Sequence, residues 1–184
     1  MFSVRLTRVP DSGAPLKENR RLELSEVGLK EPFEAEGVEA SWELSRMFGK
    51  SYGKIRASAR VRLTCGRCLE EFSAPVSTEF SVLFEPRSAS GGRSSQSQDS
   101  EADDDVDKDE AGDTTVFFDG EDLPLGEEIR QELELAVPFR ALCRRDCKGL
   151  CHRCGTNLNQ GACGCPPERG GGPFAALKDR PTRS

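Results

Sequence analysis

Histidine occurs once in this 184-residue chain, as do tryptophan and tyrosine. A Ser/His/Asp or Cys/His enzyme would therefore have one candidate base, His152, set inside a cysteine motif where an exposed side chain is the plainer reading. No GxxxxGK[ST] or GxGxxG loop offers a phosphate cradle. No stretch approaches the ~18–20 apolar residues of a membrane span. The opening MFSVRLTRVPDSG lacks an apolar run of signal-peptide length and a small-residue cleavage site. These absences lead us to expect a soluble, cytoplasmic protein with no membrane partner and no small-molecule substrate.

Net negative charge is confined to one segment. The net charge is −6, but Asp99 to Asp113 holds nine acidic residues and one Lys, a local −8, so the remainder sums to +2. From Pro86 to Asp113, Ser, Gly and Gln give way to this acidic run. Such a stretch buries too little apolar surface to offset its ordering entropy, which predicts a disordered insert.

Around the insert the chain is patterned. In SYGKIRASARVRLTCGRC, Ile55, Ala57, Ala59, Val61 and Leu63 share one parity, and Lys54, Arg56, Arg60 and Arg62 the other. Period two predicts a strand with an apolar face inward and a basic face outward. In EEFSAPVSTEFSVLF, Phe72, Ala74, Val76, Phe80, Val82 and Phe84 alternate in the same way, so CGRC should sit at the tip of an antiparallel hairpin. FSVRLTRV and EASWELSRMF are further strand candidates, with Trp42 and Phe48 as core or groove residues. TTVFF predicts a short strand. EEIRQELELAVP predicts a helix of about three turns, with Leu125, Ile129, Leu133 and Val137 on one face, acids at its start and Pro138 at its end. FAALKD in the tail predicts a single helical turn.

What the chain does have is cysteine. Eight occur, six of them in CRRDCKGLCHRCGTNLNQGACGC, residues 143–165. In a reducing compartment clustered thiols indicate metal more than cross-links. A CxxC turn brings two thiolates to one ion, and zinc takes four ligands tetrahedrally. Eight thiols allow two sites. In one partition Cys65 and Cys68 join Cys143 and Cys147, while Cys151, Cys154, Cys163 and Cys165 close locally. In the other, Cys65 and Cys68 pair with Cys151 and Cys154. The first uses every thiol and is favoured. Four thiolates fill the shell, so one or two structural Zn2+ ions are expected, with an iron–sulfur cluster as the lesser alternative. Structural zinc contributes on the order of 10–16 kcal/mol in small modules, comparable to a whole domain's stability. A thiol–disulfide oxidoreductase ranks lower, because redox CxxC pairs sit at helix N-termini and this one falls between strands.

Basic residues surround these motifs. Lys54, Arg56, Arg60, Arg62 and Arg67 lie on the hairpin, and Arg144, Arg145, Lys148 and Arg153 lie among the later cysteines. Such a surface fits a nucleic-acid footprint about as well as it fits a charged face that keeps the protein soluble.

CGRCLEEF, LPLGEEIRQELELAVPFRALC, CKGLCHRCGTNLN with CGC, and GPFAALKD, in that order, resemble the bacterial YceD family from about residue 50 onward. His152 departs from the proline expected there, and GGGPF from the family's usual Asp-Pro-Arg. The resemblance implies a non-enzymatic ribosome biogenesis factor that promotes accumulation of 23S ribosomal RNA. Its implied partners are that RNA, its precursor particle or ribosomal proteins. It also implies that the eight cysteines matter and that Gly149, Leu150, Gly155, Asn157, Leu158 and Asn159 shape the second knuckle. The expected fold is α+β: a mainly antiparallel β domain with one helix and a Cys-rich zinc-binding C-terminal segment. Its divisions are a β-rich region (1–86), the insert (87–113), a strand and helix completing the domain (114–142), the zinc segment (143–165) and a basic tail (166–184).

Overall fold

A computed structural model describes residues 1–87 and 114–166. Its elements are β1 (Val4–Arg5), β2 (Leu16–Leu22), α1 (Leu24–Val27), β3 (Val38–Met47), β4 (Lys50–Thr64), β5 (Glu71–Pro86), β6 (Thr114–Phe118), β7 (Asp122–Leu123) and α2 (Leu125–Ala136). Five strands form one sheet in the order β2-β3-β4-β5-β6, and β1 pairs with β7 in a separate ladder.

Period-two patterning builds the sheet. β4 and β5 pair antiparallel from Ser51↔Phe84 to Thr64↔Glu71, which leaves Cys65–Glu70 as the hairpin tip. Ile55, Ala57, Ala59 and Val61 are buried on one face. Register places Trp42 and Phe80 beside Ile55, and Val76 beside Ala59. α2 covers this face, packing on β4 and β5 with Leu125, Ile129 and Leu133 fully buried. Each such side chain contributes about 1.5–3 kcal/mol by leaving water. The helix ends at Ala136, and Val137 turns extended before Pro138. Trp42 belongs to the core, its ring centroid 5.2 Å from that of Phe2.

β5 and β6 are parallel, against the antiparallel grain of the sheet. A parallel pair needs a crossover connection of a dozen or more residues. Residues 87–113, expected from the sequence to be an insert, separate the two strands in the chain. Apart from Arg87 they lie outside the described residues, as does the tail beyond Pro166, including FAALKD.

Two expectations are corrected, and one strand was not foreseen. FSVRLTRV contributes only the two residues of β1, then a 3₁₀ turn at Leu6–Arg8, because β7 offers a partner just two residues long. Phe48 is 97 % exposed at the β3–β4 turn and takes no part in the core. β2, from the charged LKENRRL, is a full edge strand with no clean alternation to mark it. Among the described residues no helix is long and apolar enough to cross a membrane.

Candidate metal centre

The eight thiols converge in two groups, Cys65/Cys68/Cys143/Cys147 and Cys151/Cys154/Cys163/Cys165, with the sulfurs of each within 4.8 Å of one another. This is the favoured partition. The Sγ–Sγ separations are 3.8 Å for Cys65–Cys147, 3.6 Å for Cys68–Cys143 and 3.4 Å for Cys151–Cys163. A disulfide would require about 2.05 Å. A tetrahedron with zinc–sulfur bonds of about 2.3 Å has edges of about 3.8 Å. The residues therefore fit a tetrathiolate ion site, and either quartet can hold a metal ion.

The backbone prepares each knuckle in the same way. Leu69 donates its N–H to the Cys65 carbonyl at 3.0 Å, and Gly155 donates to Cys151 at 2.9 Å. Both closing residues adopt positive φ, 59° at Leu69 and 71° at Gly155. The glycine was visible as turn capacity; a leucine in that conformation was not. The turn also aims main-chain N–H groups at sulfur, as from Arg67 to Cys65 at 3.5 Å.

The thiols within each group differ in how readily they ionise. Main-chain N–H groups of Cys143 and Cys68 pull the Cys65 thiol down to about 6. Burial and the neighbouring thiols push Cys143 up to about 12. In the second group the Thr156 hydroxyl and N–H lower Cys154 to about 6, while the Cys154 and Cys151 thiols and burial raise Cys165 to about 12. One sulfur in each group is thus drawn toward the thiolate, while burial and the neighbouring sulfurs oppose ionisation of another. A divalent ion removes that conflict by neutralising the charge at its centre. Cys65 is completely buried, which denies a disulfide substrate direct access to it. His152 is exposed and belongs to neither group.

Further contacts tie the two loops together. Gly66 donates to the Ala141 carbonyl at 2.8 Å and Leu150 to the Arg67 carbonyl at 3.1 Å. The Arg67 guanidinium donates to the Cys147 carbonyl at 2.9 Å, so this residue, read from the sequence as an RNA contact, braces the site. Leu150 bridges to Asn157, and Leu158 donates to the Gly149 carbonyl at 2.9 Å. Gly149 has φ 74°, and a Cβ there would lie 3.1 Å from the Arg67 carbonyl oxygen. Asn159 serves the other quartet from the one its loop belongs to: its amide Nδ2 lies 3.3 Å from the Cys147 sulfur.

The remaining basic residues divide. On the open sheet face Lys54 and Arg56 both hold Glu79, at 2.9 Å each, and drive its carboxyl down to about 2. Arg60 reaches Glu34 at 3.5 Å and Ser73 at 3.2 Å. Arg144 faces Asp146 at 3.7 Å. Among the described residues, Arg62, Arg145, Lys148 and Arg153 are exposed and make no side-chain ion pair; the last three lie along the two quartets.

Fold and site together define a β-sheet protein whose central hairpin tip is clasped by a C-terminal thiol segment able to bind metal. The chain belongs to the YceD family, whose model, described as "Large ribosomal RNA subunit accumulation protein YceD", matches residues 53–179. Two similar curated proteins are chloroplastic, each named Large ribosomal RNA subunit accumulation protein YCED homolog 1. The one from Zea mays is 29 % identical over 137 residues, covering 62 % of this chain and 45 % of the relative. The one from Arabidopsis thaliana is 34 % identical over 62 residues, covering 32 % and 19 %. The chain thus spans less than half the length of either relative. No solved structure gives a significant match.

Proposed function

We propose that the protein promotes accumulation of large-subunit ribosomal RNA without catalysing a reaction. It binds that RNA or its precursor particle with the surface beside the thiol clasp. The clasp holds structural zinc, one ion in each quartet. Family membership supports the role. The observation that carries the choice of surface is the uneven pairing of the cations. Lys54, Arg56 and Arg60 are occupied by Glu79, Glu34 and Ser73, whereas Arg145, Lys148 and Arg153, and on β4 only Arg62 near the hairpin tip, are exposed without an ion pair among the described residues. Unpaired cations are the ones available to replace counterions on phosphate.

The test compares Arg145→Glu/Lys148→Glu/Arg153→Glu with Arg56→Glu, titrating each against a large-subunit ribosomal RNA fragment at several salt concentrations. The triple variant should lose affinity and flatten the salt dependence by about 0.7–0.9 log units of affinity per decade of salt for each phosphate it no longer neutralises. Arg56→Glu should do less. An unchanged slope in the triple variant would discard this surface.

A protein adaptor is the second reading. Phe139 is 98 % exposed, Leu135 79 % and Leu69 63 %, all near the clasp in the chain. Apolar groups this exposed suit a protein partner. Nuclease-resistant capture of a ribosomal protein, abolished by Phe139→Ser, would favour it.

A further inference from the structure

We infer that the two quartets bind metal as a coupled pair, with Asn159 as the positioning residue through which an ion in the second raises the affinity of the first. The inference rests on the metal-clasp reading and adds to it a direction and a residue. Cys147 of the first quartet and Cys151 of the second are separated only by Lys148, Gly149 and Leu150. Asn159 lies between Cys154 and Cys163, inside the loop that an ion in the second quartet would close.

Its side chain nevertheless acts on the first quartet. Nδ2 donates to Cys147 Sγ at 3.3 Å and to Asn157 Oδ1 at 2.8 Å, and Oδ1 accepts the Lys148 N–H at 2.8 Å. Exchanging the amide's N and O would set its oxygen against the sulfur and against Asn157 Oδ1, and its NH2 against the Lys148 N–H. The contacts therefore fix one orientation. A hydrogen bond donated to the sulfur favours a thiolate, the form that binds metal.

The loop that presents Asn159 is held by hydrogen bonds, among them Leu158 to the Gly149 carbonyl and the Gln160 amide to Glu70, with little apolar packing behind them. Between Cys154 and Cys163 only Leu158 is a large apolar residue, and it is half-buried. Ligand closure at the second quartet would fix the loop further. A hydrogen bond to a ligand from beyond the ligand shell is worth about 10–100-fold in metal affinity. Linkage requires the coupling to be reciprocal: an ion in the first quartet must tighten the second by the same factor.

The experiment titrates the full chain with Co2+ against a competing chelator, reading the thiolate charge-transfer bands. In Cys163→Ser/Cys165→Ser, which disables the second quartet, first-quartet affinity should fall about 10–100-fold. In Asn159→Ala two ions should still bind, with the first quartet weakened to a similar extent. Combining the two changes should add little further loss. Cys65→Ser/Cys68→Ser supplies the reciprocal arm and should weaken the second quartet by the same factor, so the test survives misfolding of one variant. Unchanged first-quartet affinity in Cys163→Ser/Cys165→Ser would overturn the coupling. Fully additive losses in the combined variant would overturn the role of Asn159. A wild-type chain that binds no Co2+ would fail at the clasp itself, a distinguishable result.

Discussion

Removing metal should loosen the clasp and lower the stability of the sheet without unfolding it. Cys68 and Cys143 stand 75 residues apart. Bringing the ends of such a loop together in an unfolded chain costs about 4.5 kcal/mol by chain entropy, against about 3 kcal/mol for the 12-residue separation of Cys151 and Cys163. An ion in the first quartet is therefore bound by the folded chain and largely released on unfolding. Binding of that kind stabilises by RT ln(1 + [M]/Kd), about 4 kcal/mol when free metal stands at a thousand times Kd. For a protein this size chelation should then lower Tm by about 8–16 °C. The main apolar core contains none of the eight cysteines, so the sheet should remain folded at 25 °C. Circular dichroism melts with and without chelator measure the shift, and fluorescence of the buried Trp42 reports the core. An unchanged Tm would refute the clasp. Loss of the Trp42 signal on chelation at 25 °C would refute the independence of the sheet.

Two further outcomes follow from individual residues. Gly149→Ala places a Cβ 3.1 Å from the Arg67 carbonyl oxygen at φ 74°, while Gly155→Ala meets nothing within 4 Å at φ 71°. Both should lose about 1–2 kcal/mol to the left-handed backbone, and Gly149→Ala more, with earlier metal release in chelator titrations. Glu128 on α2 is buried, and burial, then the nearby Glu127 and Glu132 charges, raise its carboxyl to about 7. A raised folded pKa means its contribution is fully present below the unfolded value and is lost as pH climbs to about 7. Glu128→Gln should raise Tm at pH 8 and leave it nearly unchanged at pH 4; an equal shift at both would show that the carboxyl is not desolvated.

What could be read from the sequence was local. The β4–β5 hairpin was legible because apolar residues recur at every second position of β4 from Ile55 to Leu63. The quartets were legible because CxxC spacing is a property of one short segment, and their partition followed from using every thiol once. β2 was not legible. LKENRRL buries only Leu22, and its place at the sheet edge depends on β3, whose register runs from Leu16↔Leu44 to Leu22↔Val38. The exposed Phe48 was misjudged because a hydrophobic side chain in a two-strand turn looks, in one dimension, like a core residue.

The basic face of β4 shows the same limit in electrostatic form. Read along the strand, Lys54, Arg56, Arg60 and Arg62 form a row of positive charge that no acidic residue interrupts. Sheet pairing sets Glu79 directly opposite Arg56, 23 residues later in the chain, and Glu43 opposite Lys54. Exposed pairs of this kind contribute little to stability, typically about 0–1 kcal/mol, but they reduce the local field. A charge row on a strand thus cannot be assigned to nucleic acid until its cross-strand neighbours are known. The cations after Cys143 follow a different rule. They sit in knuckle loops with no neighbouring strand to supply acids in register. Asp146 is the only acidic residue between Arg140 and Arg153. The thiol clasp, by replacing a sheet with loops at this end of the molecule, is also what leaves Arg145, Lys148 and Arg153 without an ion pair among the described residues, the condition on which the proposed RNA surface depends.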